Sequence, residues 1–378
     1  MMKINRIQLH NFRNYADEEF VFAPGVNVIS GENAQGKTNL LEAAAALSTI
    51  KLFRTGQKKE GLRFGADEGS VTGEFEAEGR EFSVALRLFA QKAAEVWRGG
   101  VRQKRQGDAR GILKTVLFCP DDLYLIRAGA SARRRFLDTA LCQLRPNYDR
   151  VLGEYERLLA HKNRILKDSE EKPSLLELLD DFSLRMAHLG AVIVRYRAYY
   201  IRKLSEKAAL VHHEAAPHET LQAVYKTVSA VSDPFASYGQ IEKELAEHVM
   251  SHKKFELAAR ACLSGPHKDD LDLTINGVSA SSYGSQGQVR TCALALKLAE
   301  REMFFEDCGE YPVLLLDDVL SELDRRRQDF VLNRIADGQV IITCCEDDVA
   351  AKIEAGKVFS VRGGRIVRED KTGKKTSV

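Results

Sequence analysis

The sequence predicts an α/β protein whose α/β part is divided by an inserted α-helical module. Three observations predict it. A short β-branched run near the start meets a glycine-rich loop and then an Ala/Leu-rich segment. Apolar residues at three and four spacing dominate the middle, and strand and helix patterns alternate again after residue 270.

Taken in order, residues 3–12 alternate with Ile7 and Leu9 on one face, and a second extended run passes through Phe20, Val21 and Phe22 before Pro24-Gly25 turns the chain. Residues 26–29 read as a strand, and 37–47, free of breakers, as a helix. Extended segments around 69–75, 81–89 and 113–118 predict an antiparallel or mixed sheet beside this first unit. Past Pro120, residues 131–166 and 182–210 carry the helical pattern, with linkers at 167–173 and 212–218 and a third helix over 238–262. Leu271 to Ile275 alternates and Asn276-Gly277 marks a hairpin. A helix over 288–305, the apolar run Val313 to Leu316, a helix over 325–335 and a strand over 340–343 complete the pattern. The expected division is 1–118 and 263–368 for the two halves of the α/β part and 119–262 for the helical module. The polar, lysine-rich 369–378 is expected to be a disordered tail.

At 378 residues, with 44% apolar and 29% charged side chains, the chain can bury a large core and fits neither a fibrous nor a disordered composition. It contains no stretch of about 18 apolar residues and no signal-like start, which predicts a cytoplasmic protein with no membrane association. The seven cysteines are scattered with no C-x-x-C, so free thiols are expected and a zinc site is not. With 56 basic and 54 acidic residues, nucleic-acid binding would have to come from local patches.

Gly31-Glu32-Asn33-Ala34-Gln35-Gly36-Lys37-Thr38 fits G-x-x-x-x-G-K-[ST] between a predicted strand and a predicted helix. In such a P-loop, backbone N–H groups and the helix dipole hold phosphates, Lys37 reaches the β and γ oxygens of ATP, and Thr38 serves Mg²⁺. The metal needs a carboxylate as well. Asp317, at the end of the run Val313 to Leu316, is the expected magnesium partner, and Asp318 stands where a general base orients water. With Lys37, Asp318 is the candidate catalytic pair. Ser285-Gln286-Gly287-Gln288 opens a helix about 30 residues earlier in the chain and resembles the signature motif of the ABC ATPases; Ser321-Glu322-Leu323-Asp324 resembles their D-loop.

Further segments narrow the resemblance: residues 9–15, 31–42, 51–55, Phe118-Cys119-Pro120-Asp121-Asp122-Leu123, 133–138, Gly265 to Leu271 and 283–291. Together they resemble the RecF family of bacterial recombination proteins, among the SMC and Rad50-like ABC ATPases, from the first residues to about Asp348. The resemblance implies an ABC-type P-loop ATPase head with mixed β-sheets and a helical arm. It further implies an ATP-dependent DNA-binding protein of gap repair, fork maintenance and the SOS response, acting with RecR and RecO to load RecA. ATP is implied to join two copies, with Arg13 and Asn14 near the adenosine and Ser285 to Gln288 serving the partner's nucleotide, so that the dimer clamps DNA (single-stranded, duplex or junction) until slow hydrolysis releases it. Two departures stand out: no histidine follows the strand over 340–343, leaving Thr343, Cys344 or Cys345 in the switch region, and no Q-loop glutamine precedes the helical module. A slow timer is expected rather than a motor. A nucleotide-binding subunit of another ABC system and a P-loop small-molecule kinase are the alternatives.

Basic stretches around Trp97 (Lys92, Arg98, Arg102, Lys104, Arg105, Arg110, Lys114) and over 51–63 (Lys51, Arg54, Lys58, Lys59, Arg63) are candidate phosphate contacts or solvated surface. His267 beside Asp269 and Asp270 reads as a hydrogen-bonded turn ahead of a metal site.

Overall fold

The computed structural model describes residues 1–228, 231–345 and 356–370. Its elements in chain order are β1 (Lys3–Phe12), β2 (Tyr15–Val21), β3 (Val26–Ser30), α1 (Lys37–Thr49), β4 (Glu68–Ala77), β5 (Arg80–Phe89), β6 (Glu95–Arg98), β7 (Val101–Arg102) and β8 (Thr115–Phe118), followed by α2 (Ala130–Leu144), α3 (Pro146–Asp168), α4 (Leu179–Ala215), β9 (Leu221–Lys226), α5 (Tyr238–Ala259), β10 (Asp270–Ile275), β11 (Val278–Ser279) and α6 (Ala280–Tyr283). The chain closes with α7 (Gln286–Cys308), β12 (Val313–Asp317), α8 (Arg325–Leu332), β13 (Val340–Cys344), β14 (Lys357–Arg362) and β15 (Arg365–Asp370). These fall into two units, Met1–Leu123 with Lys297–Val378, and Tyr124–Leu296.

The first unit holds two six-stranded sheets. One, in the order β2-β1-β4-β5-β6-β7, is antiparallel; the other runs β15-β14-β3-β13-β12-β8. In the second sheet the five strands from β14 to β8 are parallel, and their apolar runs (Val313 to Leu316, Val340 to Ile342) are buried on both faces, as parallel strands require. Helix α1 is buried from Leu40 through Ser48 without a polar face. It shares one apolar core with Ile4, Leu9, Val71, Phe75 and Leu86 of the first sheet and with Ile29, Leu315, Ile341 and Phe359 of the second. A helix this largely apolar on every side is stable only when enclosed.

The second unit is not purely helical. Strand β9 alternates buried and exposed residues and pairs antiparallel with β10, and Asn276 and Gly277 make the tight turn into β11 with φ of 52° and 77°. The boundaries therefore move from 118 and 262 to Leu123 and Leu296, and Ser285 to Gln288 groups with the middle of the chain. The sequence over 221–226 alternates too briefly to outweigh its helical surroundings, and its partner strand lies more than forty residues on. Residues 131–166 form two helices, because Pro146 has no N–H to continue α2 and instead opens α3. Helix α4, roughly 55 Å long at 1.5 Å per residue, lies against α3, α5 and β9. Glu369 and Asp370, expected in the tail, pair with β14 in β15; residues 371–378 lie outside the described residues. All seven cysteines are free thiols, and among the described residues no helix is long and apolar enough to cross a membrane.

Candidate nucleotide site

Strand order fixes the site. Strand β13 lies between β3, which runs into the glycine-rich loop, and β12, which ends in Asp317; the register sets Thr343 beside Asp317 on one side and Ile29 on the other. Three carboxyl ends of parallel strands thus meet, the place where open α/β sheets bind ligands.

The loop is held by close backbone approach. Gly31, at φ 150°, would put a Cβ 2.4 Å from the Val361 carbonyl oxygen; Gly36, at φ 120°, would put one 2.8 Å from Asn14 Nδ2. Around it, Asn14 Nδ2 donates to Gln35 O over 2.9 Å, the Tyr15 hydroxyl donates to Gly36 O over 3.0 Å, and Asn39 Nδ2 donates to Asn14 Oδ1 over 2.8 Å. The Gly364 amide donates to Gln35 O over 2.9 Å, and the Gly363 amide to Gln35 Oε1 over 2.7 Å. Asn14, expected near the adenosine, ties the loop to α1 through these bonds. Tyr15 and the β14 to β15 turn escape a reading of the loop's own sequence because each acts from a distant segment, whereas Asn39 lies only two residues beyond Lys37.

Lys37 is buried, with its ammonium on Gly31 O at 2.5 Å, Glu32 O at 2.9 Å and Cys345 Sγ at 3.3 Å. Three protons meet three acceptors in a loop whose curl also suits phosphate oxygens. The Thr38 hydroxyl donates to Asp317 Oδ1 over 2.9 Å, joining the loop helix to β12. Burial pushes the Asp317 carboxyl up, opposed by the bonds from Thr38 and Thr343. This pair is all oxygen, the donor type a hard cation prefers, and among the described residues there is no group of three His, Cys, Asp or Glu fit to hold a metal.

Asp318 sits at φ 50°, its amide donating to Thr343 Oγ1 over 2.9 Å and Cys345 Sγ standing 3.6 Å from its Oδ2. Beyond it, the Ser321 hydroxyl donates to Asp318 O over 2.6 Å and Asp324 caps α8 through the Arg327 amide. Arg13 forms a two-pronged pair with the fully buried Glu42 of α1, at 2.7 and 3.0 Å, and donates to Glu60 O at 2.8 Å. In the Phe118 to Leu123 segment, Asp122 accepts from the Cys119 amide at 2.9 Å and lies 3.7 Å from the buried Lys297 ammonium, which also meets Glu300 at 3.1 Å.

In the second unit, Ser285 and Gln288 form a capping box at the start of α7, and Gln288 Nε2 also donates to Glu219 Oε1 over 3.0 Å. The Gly265 to Leu271 stretch is a braced turn. Arg197 donates to both oxygens of Asp138 at 2.9 and 2.8 Å and to Pro266 O at 2.7 Å, Arg133 pairs with Asp270 at 2.8 Å, and Tyr225 donates to Asp269. His267 bonds Tyr155 at 2.7 Å within this turn. In the first unit the basic stretches divide: Lys92 and Arg102 both meet Glu95, and Arg87 stacks 4.3 Å from Trp97, whereas the charges that act on Lys58 are Arg110 and Lys51.

The RecF/RecN/SMC N terminal domain family profile matches residues 3–366. A DNA replication and repair protein RecF from Acetivibrio thermocellus is 35% identical over 369 residues, covering 95% of this chain and 100% of that protein. The RecF from Bacillus cereus is 39% identical over 336 residues, covering 88% and 89%. A solved structure described as the recombination mediator protein RecF with ATP in the RecFOR pathway superposes with a TM-score of 0.90 at 33% identity, covering 98% of each chain. An Smc head domain from Pyrococcus furiosus shares the fold at a TM-score of 0.56 and 16% identity. Matched over nearly its whole length by that profile and by relatives of 35 to 39% identity, the chain belongs to the RecF family of DNA replication and repair proteins.

Proposed function

We propose that the chain binds ATP with Mg²⁺ and uses it to close a homodimer on DNA. One observation carries the reading: the Thr38 hydroxyl lies 2.9 Å from Asp317 Oδ1, which brings the two halves of a nucleotide and cation site together from segments 279 residues apart. The similar structure described with ATP supports the same assignment.

In this reading the loop from Gly31 to Gly36 and the N-terminus of α1 hold the β-phosphate, and Lys37 exchanges its carbonyl partners for phosphate oxygens. Thr38 and Asp317 hold the cation, which when bound neutralises phosphate charge. Asp318 orients water for attack; its carboxylate is one methylene shorter than a glutamate, and no histidine assists it, so turnover is slow and serves as a timer. Ser285 to Gln288 of a second copy completes the site with a helix N-terminus. Arg13, tied to Glu42, and Asn14, tied to Gln35, act near the nucleotide by shaping the loop. The protein acts in the cytoplasm in recombinational gap repair, fork maintenance and SOS induction with RecR and RecO, a reading supported by the RecFOR pathway named for its structural relative.

Sedimentation velocity with ATP, ADP and no nucleotide, each with and without a gapped duplex, tests it. Dimers formed with ATP alone, and DNA carried by those dimers, are expected. A monomer at saturating ATP, or DNA binding indifferent to nucleotide, would sink the clamp.

A further inference from the structure

Thr343 occupies the carboxyl end of β13, the strand between the P-loop strand and the aspartate strand. Every other residue from Val340 to Ile342 is apolar, and Thr343 itself is 1% exposed. A hydroxyl there must be satisfied by protein. It has one proton and two lone pairs. The Asp318 amide donates to Thr343 Oγ1 over 2.9 Å, and the Thr343 proton goes to Asp317 Oδ1, also at 2.9 Å, rather than to Leu316 O at 3.5 Å. The same Oδ1 accepts the Thr38 hydroxyl at 2.9 Å. One side chain therefore grips both aspartates at once: the carboxylate of the first and the backbone of the second, where the chain turns through a left-handed residue.

We propose that Thr343 is a positioning residue for the divalent cation of the nucleotide site, its hydroxyl holding Asp317 Oδ1 and the Asp318 backbone in one arrangement. The inference rests on the nucleotide reading above and deepens it. When Thr38 offers a lone pair to a cation, its proton stays on Asp317 Oδ1. With Thr343 donating to the same atom, Oδ2 is the oxygen left for the cation or its water. Remove the second donor and the carboxylate turns about its Cβ–Cγ bond, so the cation meets a carboxylate that must be ordered on binding. Partners of this kind, one bond removed from a metal, typically change metal affinity 10 to 100-fold.

The test uses the full chain with Mn²⁺ as the probe, titrated in the presence of a non-hydrolysable ATP analogue and read by the electron paramagnetic resonance of free Mn²⁺. Thr343→Val keeps volume and strand preference while deleting the hydroxyl. It is expected to raise the half-saturating Mn²⁺ concentration about tenfold, to leave analogue affinity in EDTA within about twofold of the unaltered chain, and to be rescued by Thr343→Ser. Should the valine variant fail to fold, Thr343→Ala against Thr343→Ser gives the same comparison. Coincident Mn²⁺ titrations for the valine variant and the unaltered chain, or a serine variant as weak as valine, would overturn the proposal while leaving nucleotide binding standing. An unaltered chain that binds no analogue would instead remove the nucleotide reading on which it rests.

Discussion

Ser285 and Gln288 cap one another: the Ser285 amide donates to Gln288 Oε1 over 2.8 Å, and the Gln288 amide donates to Ser285 Oγ over 3.2 Å. The signature-like motif thus already does structural work at the start of α7, and any role toward a partner's nucleotide is added to it. Ser285→Ala should cost about 1 kcal/mol of stability through the lost cap, read as a shift in the denaturant midpoint. Ser285→Arg should leave ATP binding to the monomer intact and block ATP-dependent dimers in light scattering. Dimers as abundant as in the unaltered chain would rule out the arrangement across two copies.

Lys37 places its ammonium among Gly31 O, Glu32 O and Cys345 Sγ, so it is the cation that the curl of the loop encloses. Methionine has nearly the same length and no charge. Lys37→Met should therefore lower nucleotide affinity by at least a hundredfold in isothermal titration while the melting temperature changes little. Unchanged affinity would dismiss the P-loop assignment.

Much of this site is legible in the sequence because its chemistry is written in contiguous segments. The loop, its flanking strand and helix, and Asp317 at the end of an apolar run each announce themselves locally. What is not legible arises from pairing between distant segments: Thr343 gains its place from the strand order β3-β13-β12, and Gly363 and Gly364 reach Gln35 from the end of the chain. The same reason explains the missed strand β9. Six alternating residues inside helical surroundings are ambiguous until β10 supplies the partner. Arg13 is a different case, because its salt bridge to Glu42 is a tertiary contact that no motif encodes.

Cys345 stands where a switch histidine is absent, its thiol 2.8 Å from Asn33 Oδ1, 3.3 Å from Lys37 Nζ and 3.6 Å from Asp318 Oδ2. It is partly exposed, as is Cys308 at the end of α7. ATP in the loop should slow alkylation of Cys345 by iodoacetamide at least tenfold and leave Cys308 unchanged, measured by peptide mass spectrometry. Equal rates with and without bound ATP would remove Cys345 from the neighbourhood of the phosphates.

Lys58 is pushed down to about 8 by burial first and then by Arg110 and Lys51, so this patch gathers positive charge. Lys92, by contrast, meets Glu95 at 3.2 Å. If the patch meets DNA phosphates, Lys51→Ala with Lys58→Ala should reduce the slope of log affinity against log salt by about 2, and Lys92→Ala should barely alter it. The Lys58 contribution should also fade as pH rises through about 8, where its ammonium loses its proton. Fluorescence anisotropy with a labelled duplex reads all three, and equal slopes for both variants would move the contact elsewhere.

His267 is pushed down from 6.5 to about 4 by burial. Its ring bonds Tyr155 at 2.7 Å and the Cys262 carbonyl at 3.3 Å, which a neutral imidazole satisfies by accepting at Nδ1 and donating at Nε2. Because the folded value lies below the unfolded one, the unfolded chain takes up the proton first as pH falls. The stabilisation is therefore complete above about 6.5 and is lost on the way to about 4, at roughly 1.4 kcal/mol per pH unit within that window. Asp269, pushed up by burial, acts with the opposite sign, so the two must be separated. The difference in urea midpoint between the unaltered chain and His267→Gln, followed from pH 7 to pH 5, isolates the histidine: the variant should be less stable at pH 7 and the gap should narrow as pH falls. Parallel profiles would mean that His267 takes up its proton equally in the folded and unfolded chain.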